Sequence, residues 1–147
     1  MAKTAVTLSL ERALESVTNK AGVFGCFEVT IGWDGKERVD YITYDTKGTW
    51  RCYEIKVSKS DFRSKAHHTF CGHYNYFVMT QELFDQVKEE IPEHIGVYIN
   101  FEYWPYIKNV KKAKRQELGI DEQVLKRFSY SFVEPRSRQS KGEASKA

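Results

Sequence analysis

Two acidic residues and one lysine stand out in this chain because they lie in two adjacent runs of strand-forming residues. Asp40 lies in the first run, and Glu54 and Lys56 lie in the second. Between the runs, Asp45-Thr46-Lys47-Gly48 suits a type I turn closed by a glycine bulge, which would place Asp40 opposite Glu54. Directly opposed residues share one face of a sheet, as does Lys56 two positions further on. The sequence therefore predicts two carboxylates and an ammonium on one side of a hairpin.

This group has a definite chemical use. Like charges directly opposed destabilise a sheet unless something offsets them, and a divalent cation would do so. Carboxylate oxygens are hard ligands that suit Mg²⁺ or Mn²⁺. A lysine beside a metal-bound water would orient that water or offset phosphate charge in the transition state. These are the minimum requirements for hydrolysing a phosphodiester bond.

The competing interpretation is a solvated outer face, on which charged triplets are common. The second run argues against it, because its apolar and aromatic residues fall on both faces, as in a central strand. These residues are Trp50, Cys52, Tyr53, Ile55 and Val57. Charged residues in a central strand need a compensating partner, which favours a functional role.

The elements that would position this group indicate an α/β fold, with a central mixed sheet of about five strands flanked by helices. Leu10, Leu14 and Val17 have helical spacing, and Ser9 is a candidate cap for that helix. Ser58 followed by Asp61 predicts a second helix start. The five predicted strands are Phe27–Ile31, Val39–Tyr44, Thr49–Val57, Tyr74–Met79 and Ile95–Ile99. Two further helices are predicted, Gln81–Glu90 and Asp121 to about Phe132.

Several of these segments together resemble the PD-(D/E)XK nuclease superfamily, and more closely the MmcB-type DNA-repair proteins and their small phage-encoded relatives. The resemblance begins with Val39-Asp40, the hairpin and Glu54-Ile55-Lys56. It continues through Ser58–Phe62, Gly72–Met79 and Ile91–Tyr98. It covers the chain well from residue 32 to residue 99. It implies a restriction-endonuclease-like core.

The resemblance also assigns roles to individual residues. It implies that Asp40 and Glu54 bind the metal together with the backbone carbonyl of Ile55, and that Lys56 is the catalytic lysine. Members of the superfamily often add a glutamate from the first helix, for which Glu11 and Glu15 are both candidates here. Val39 stands where the motif that names the superfamily has proline, a position that many members relax.

Nucleic-acid contacts are predicted at two basic groups, because a formal charge of only +3 requires a local patch. Lys59, Arg63 and Lys65 begin the helix that follows the catalytic strand, within reach of flanking phosphates. The densest basic run follows the aromatic residues Tyr103, Trp104 and Tyr106, a mixture that suits a surface tracking a nucleic-acid backbone. A solvated surface is an equally good interpretation of this run, which comprises Lys108, Lys111, Lys112, Lys114 and Arg115.

A histidine and cysteine cluster offers a different interpretation. His67, His68, Cys71 and His73 would suit a zinc site, but they lack a clean second ligand pair, so packing roles are favoured. His73 precedes a strand and is also a candidate neighbour of the active site. The three cysteines of the chain are an odd number without a CxxC pair, which predicts buried free thiols in a reducing compartment.

The sequence thus predicts a metal-dependent endonuclease acting on DNA, in phage DNA metabolism or DNA repair, with Mg²⁺ or Mn²⁺ as cofactor. The alternatives are a nucleic-acid-binding domain of the same fold with little or no catalysis and a zinc-stabilised interaction module. We expect one domain over residues 1–134, a disordered tail over 135–147, a cytoplasmic location and no membrane partner. A homodimer is a further expectation, since nucleases that cut both strands often dimerise.

Overall fold

The protein has an α/β fold. The computed structural model describes residues 3–31, 37–64, 70–101, 106–123 and 125 of the 147-residue chain. The elements in chain order are α1 (Ala5–Thr18), β1 (Val23–Ile31), β2 (Glu37–Asp45), β3 (Trp50–Ile55), α2 (Lys59–Arg63), β4 (Tyr74–Thr80), α3 (Gln81–Val87), a 3₁₀ turn (Lys88–Glu90), β5 (Gly96–Asn100) and β6 (Ile107–Lys111). Among the described residues, no helix is both long enough and apolar enough to span a bilayer.

The strands form one six-stranded mixed sheet in the order β1-β2-β3-β4-β5-β6. β1, β2 and β3 form an antiparallel meander, β3, β4 and β5 are parallel, and β6 returns antiparallel to β5. The prediction of a mixed sheet is confirmed, with one strand more than the five expected. β6 falls in the basic run, where its apolar and polar residues do not alternate cleanly.

The β2–β3 hairpin has the predicted turn and register. The Gly48 N–H donates to the Asp45 carbonyl at 2.9 Å, and the Asp45 N–H donates to the Thr49 carbonyl at 3.1 Å. Gly48 adopts φ +81, the left-handed conformation that a glycine bulge requires. Tyr44 pairs with Trp50 and Tyr41 with Tyr53, so the next step along the strands brings Asp40 toward Glu54.

Helix α1 packs on one face of this sheet. Its buried Leu10 and Leu14 contact a cluster that includes Tyr41 and Tyr53. The prediction that Ser9 caps this helix is wrong, because the helix begins earlier and the Thr4 Oγ1 accepts a hydrogen bond from the Thr7 N–H at 3.2 Å. The first turn carries exposed Val6 and Leu8, so it lacks the apolar periodicity that marks the rest of the helix.

The other face is covered by α3, where Leu83 and Val87 pack with residues of β4 and β5. Glu122, Gln123 and Leu125 are helical, and Leu125 is fully buried against β1 and β2 residues. The start of the predicted final helix is therefore confirmed, while most of it lies outside the described residues. The predicted turn at 32–35 and the tail from residue 135 also lie outside the described residues.

Candidate functional site

Asp40, Glu54 and Lys56 line one cleft of about 550 Å³, called here the acidic cleft. Regular pairing between β2 and β3 ends at Tyr41 and Tyr53, one step before Asp40 and Glu54. At that point the Ile55 N–H donates to the Asp40 Oδ2 at 2.8 Å, so the carboxylate itself ties β2 to the end of β3. The predicted grouping of the three side chains at one place is therefore confirmed.

Glu54 and Lys56 are unusually buried for charged residues, at 3% and 6% exposure. The Lys56 N–H donates to the Val78 carbonyl at 2.9 Å, which extends the β3–β4 pairing past the end of β3 and fixes the lysine backbone. Among the described residues, the ion pairs within 4.0 Å do not include the Lys56 ammonium. Burial of a charge is costly unless opposite charge lies near it, and Asp40 and Glu54 line the same cleft as this ammonium.

Glu28 also lines the acidic cleft, although the sequence did not suggest it. Phe27 pairs with Tyr41 and Val29 with Val39, so Glu28 stands across from Asp40 on the side opposite Glu54. Its φ of +55 is uncommon for a residue other than glycine and marks a local irregularity in β1. The signal for this position is the β1–β2 register, which local sequence patterns do not supply.

Helix α1 contributes Glu11 to the acidic cleft. Glu15, one turn further on, is not among the described residues that line it, so the geometry favours Glu11 of the two predicted candidates. The Lys3 ammonium forms an ion pair with Glu11 and lies 2.8 Å from Glu28 Oε1. The hydrogen bond from Lys3 lowers the pKa of Glu28. Lys3 thereby offsets these two carboxylates, called here the outer pair. Asp40 and Glu54 are called the inner pair, of which Glu54 is buried and Asp40 is half-buried.

The side chains of the acidic cleft that could bind a metal ion do so through carboxylate oxygens. These carboxylates belong to Glu11, Glu28, Asp40, Glu54 and Asp61. Within the described ranges, no three or more His, Cys, Asp or Glu side chains lie close enough together to hold a metal ion. Two carboxylates with a backbone carbonyl would leave several coordination positions to water. Mg²⁺ tolerates this arrangement because it dehydrates reluctantly. The donor set therefore fits Mg²⁺ or Mn²⁺ and does not resemble a zinc site.

Helix α2 begins at the edge of the acidic cleft, as predicted. The Ser58 Oγ accepts from the Asp61 N–H at 3.0 Å, and the Asp61 Oδ2 accepts from the Val57 N–H at 3.0 Å. Lys59 in the first turn of α2 is exposed. Arg63 is held by Glu90 through two hydrogen bonds of 2.9 and 2.7 Å, an exposed pairing that a phosphate could replace. Lys65 lies outside the described residues.

The predicted basic run begins on the edge strand β6, which is separated from β3 by β4 and β5. Lys111 pairs with Val97, Val97 with Phe77 and Phe77 with Glu54. Lys111 therefore lies level with Glu54, about 14 Å away across the sheet at the usual spacing of strands. Lys111 donates to the Pro92 carbonyl at 2.8 Å and Lys114 pairs with Glu93. Of the aromatic residues linked to this run, Tyr103 and Trp104 lie outside the described residues.

This placement gives a prediction for DNA binding. Replacing Lys111, Lys112, Lys114 and Arg115 with Gln should weaken binding of duplex DNA without regard to sequence. The slope of log affinity against log salt should flatten by about 0.9 for each phosphate that is no longer neutralised. Fluorescence anisotropy across a salt series measures it, with Lys47→Gln and Lys88→Gln together as a control at exposed sites. An unchanged slope would assign this run to the solvated surface.

His73 lies far from the acidic cleft, so its predicted place beside the active site is wrong. Its Nδ1 accepts from the Trp50 N–H at 3.0 Å, and its own N–H donates to the Trp50 carbonyl at 2.8 Å. These bonds hold it where β3 begins, about four residues or 13 Å from Glu54. Burial lowers the pKa of His73, with Arg115 as the next contributor.

The cysteines are buried free thiols, as predicted. Cys71 Sγ lies 3.6 Å from Cys52 Sγ, so two members of the histidine and cysteine cluster, Cys71 and His73, already have partners. The remaining two, His67 and His68, lie outside the described residues. The described part of the cluster therefore offers packing roles and no zinc site.

Comparison with known proteins gives one informative likeness. No family model matches the sequence, and no curated protein matches it. Among solved structures, the protein is similar to the SPO1766 protein of unknown function from Silicibacter pomeroyi, with a TM-score of 0.73 and 19% sequence identity. The alignment covers 95% of this chain and 94% of the other. At this identity, the likeness shows that the two chains share a fold over nearly their whole length.

Proposed function

We propose that this protein is a metal-dependent endonuclease of the PD-(D/E)XK type, which hydrolyses phosphodiester bonds of DNA with Mg²⁺ or Mn²⁺. The observation that carries the proposal is the meeting of Asp40, Glu54 and buried Lys56 in one cleft. The resemblance to MmcB-type proteins and their phage relatives adds a biological setting in DNA repair or phage DNA metabolism.

The two inner carboxylates would hold the metal together with the backbone carbonyl of Ile55. Asp40 has one oxygen committed to the Ile55 N–H, which orients the carboxylate and leaves its other oxygen directed elsewhere. A bound divalent ion supplies Lewis acidity and a water of lowered pKa. The protein supplies fixed positions for these ligands on two paired strands, and such rigid placement is what electrostatic catalysis requires.

Lys56 would act on the reacting phosphate. Its ammonium is buried and its backbone is tied to β4, so its charge stays near the two inner carboxylates without having to be ordered during the reaction. A buried cation stabilises developing negative charge more strongly than an exposed one, because water screens it less. This makes Lys56 the residue best suited to orient a water and to offset phosphate charge in the transition state.

A DNA-binding domain without catalysis is the second candidate, and one observation favours it. The densest basic run begins on the edge strand β6, three strands away from β3, so a nucleic-acid strand bound there need not reach Asp40 and Glu54. The two candidates differ in one measurable outcome, which is cleavage.

The test is incubation of the full chain with linear duplex, nicked, single-stranded and branched DNA, in Mg²⁺ or in Mn²⁺. We expect cleavage of at least one substrate, its loss in EDTA and its loss in Asp40→Asn. The matched control is Asp85→Asn, because Asp85 is an exposed aspartate of α3 outside the acidic cleft. Cleavage that persists in Asp40→Asn would mean that the activity does not come from the acidic cleft. No cleavage of any substrate by the wild type would favour the binding domain.

A further inference from the structure

A second cleft, of about 340 Å³, lies on the sheet face that carries α1, beside the end of that helix. We call it the tyrosine cleft, because Tyr53, Tyr76 and Tyr98 form its wall together with Arg51 and Lys20. Its volume is at the lower end of the range of about 300–1,000 Å³ found for small-molecule sites. It shares no lining residue with the acidic cleft.

The polar groups that line the tyrosine cleft are suited to an anion. Arg51 and Lys20 bring positive charge, and among the described residues no carboxylate lines the cleft. Arg51 is bound by Asp45 at 3.2 Å and hydrogen-bonds the Tyr76 hydroxyl, and a guanidinium has more N–H donors than these two contacts use. Lys20 also follows the end of α1, where a cation offsets the partial negative charge of a helix C-terminus. The acidic cleft, with its five carboxylates, has the opposite character.

The tyrosine hydroxyls add donors at neutral pH. Burial raises the pKa of Tyr53, Tyr76 and Tyr98, so each phenol keeps its proton. The rings hold one another in place: Tyr53 stacks on Tyr76 with centroids 5.1 Å apart, and Tyr98 meets Tyr76 edge-on at 5.1 Å. Such mutual packing fixes the hydroxyls before a ligand arrives.

Positive charge continues outward from the tyrosine cleft. The Arg51 guanidinium lies 5.1 Å from the Tyr74 ring centroid, and the Arg115 guanidinium lies 5.9 Å from the same centroid. Arg115 is the last residue of the basic run, so the end of this run lies beside the tyrosine cleft. A polyanion held by the basic run would thus come close to Arg51.

We propose that the tyrosine cleft binds the phosphoryl group of a nucleotide, with Arg51 and Lys20 pairing with the phosphate and the tyrosine rings contacting the organic part. The choice of a nucleotide rests on the proposed DNA substrate, while the phosphoryl chemistry rests on the cleft itself. The phosphate is carried either by a free mononucleotide or by the end of a DNA strand.

The test is isothermal titration calorimetry of the full chain with thymidine 5′-monophosphate and with thymidine, in EDTA so that no cleavage occurs. We expect the nucleotide to bind at least about tenfold more tightly than the nucleoside, because the nucleoside cannot form charge-assisted hydrogen bonds through a phosphate. Equal affinities, or no binding of the nucleotide at millimolar concentration, would overturn the proposal.

Variants then assign the contacts. Arg51→Gln should weaken nucleotide binding about tenfold or more, and Lys20→Gln should weaken it a few-fold, while Lys88→Gln should leave it unchanged. Lys20 is exposed, so its replacement reports on binding even if breaking the Arg51–Asp45 ion pair impairs folding. Wild-type affinity in both Lys20→Gln and a correctly folded Arg51→Gln would overturn the assignment.

Two oligothymidines, with and without a 5′-phosphate, identify the source of the phosphate. Tighter binding of the phosphorylated strand assigns the cleft to a strand end, and equal binding of the two strands assigns it to a free nucleotide. Because these titrations contain no metal, absence of cleavage by the wild type would leave their result standing. Conversely, weaker nucleotide binding in Lys20→Gln with intact metal-dependent cleavage would separate the two sites.

Discussion

Millimolar Mn²⁺ is expected to raise the melting temperature of the wild type, and Asp40→Asn or Glu54→Gln is expected to remove the increase. The reason is that a ligand which binds only the folded state stabilises it by about 2.7 kcal/mol at 100 times its dissociation constant. For a domain of about 150 residues, that free energy raises Tm by several degrees. Differential scanning fluorimetry with and without Mn²⁺ measures the shift.

The two variants also give an informative result without metal. Neutralising one of two neighbouring carboxylates removes like-charge repulsion, so neither variant should melt much below the metal-free wild type. Asn at position 40 keeps an oxygen that can accept the Ile55 N–H, so the link between β2 and β3 survives. Glu89→Gln and Asp85→Asn are the matched controls and should keep the full Mn²⁺ shift. A wild type that shows no shift would argue strongly against a metal site in the acidic cleft.

The hairpin that carries the three central residues was predictable because its information is local. Asp45 and Gly48 specify the turn, the turn specifies the register, and the register brings Asp40 to Glu54. The start of α2 was predictable for the same reason, since Ser58 and Asp61 satisfy backbone N–H groups within four residues of themselves. Short-range hydrogen bonds of this kind are encoded in residue types at fixed spacing.

What the sequence did not predict depends on how distant segments pair. Glu28 joins the acidic cleft only through the register of β1 against β2. In β6, Val110 is exposed while Asn109 is half-buried, the reverse of the usual pattern. Asn109 donates to the Val97 carbonyl at 3.0 Å, close to an irregularity in the β5–β6 pairing, so its burial is compensated by a bond to another strand.

The separation of the basic run from the acidic cleft is likewise a consequence of topology. Lys111 and Glu54 are far apart in the chain, and the strand registers place them level with each other with β4 and β5 between them. His73 shows the same effect, because preceding a strand that runs parallel to β3 places it where β3 begins. Residue types suggested which side chains could act, and strand direction determined which of them lie together.

Replacement of Lys56 is expected to reduce cleavage at saturating DNA by a factor of about 10² or more, the usual cost of losing a group that stabilises the transition state. The reason is that Lys56 would contribute to the reaction and not to metal binding. Lys56→Ala should therefore leave the Mn²⁺ shift in Tm and most of the affinity for DNA in place. Single-turnover cleavage rates, melting curves and DNA affinity are measured on the same preparation.

Burial of Lys56 makes a second variant necessary. Truncation to alanine removes packed methylene groups and can lower stability by itself, whereas Lys56→Met keeps most of the side-chain volume and removes only the charge. If charge is what matters, both variants lose cleavage while only Lys56→Ala loses stability. Lys88→Ala is the control for lysine removal at an exposed site. A Lys56→Met protein that cuts as fast as the wild type would mean that the ammonium takes no part in the reaction. Any cleavage would then have to originate from groups other than Lys56.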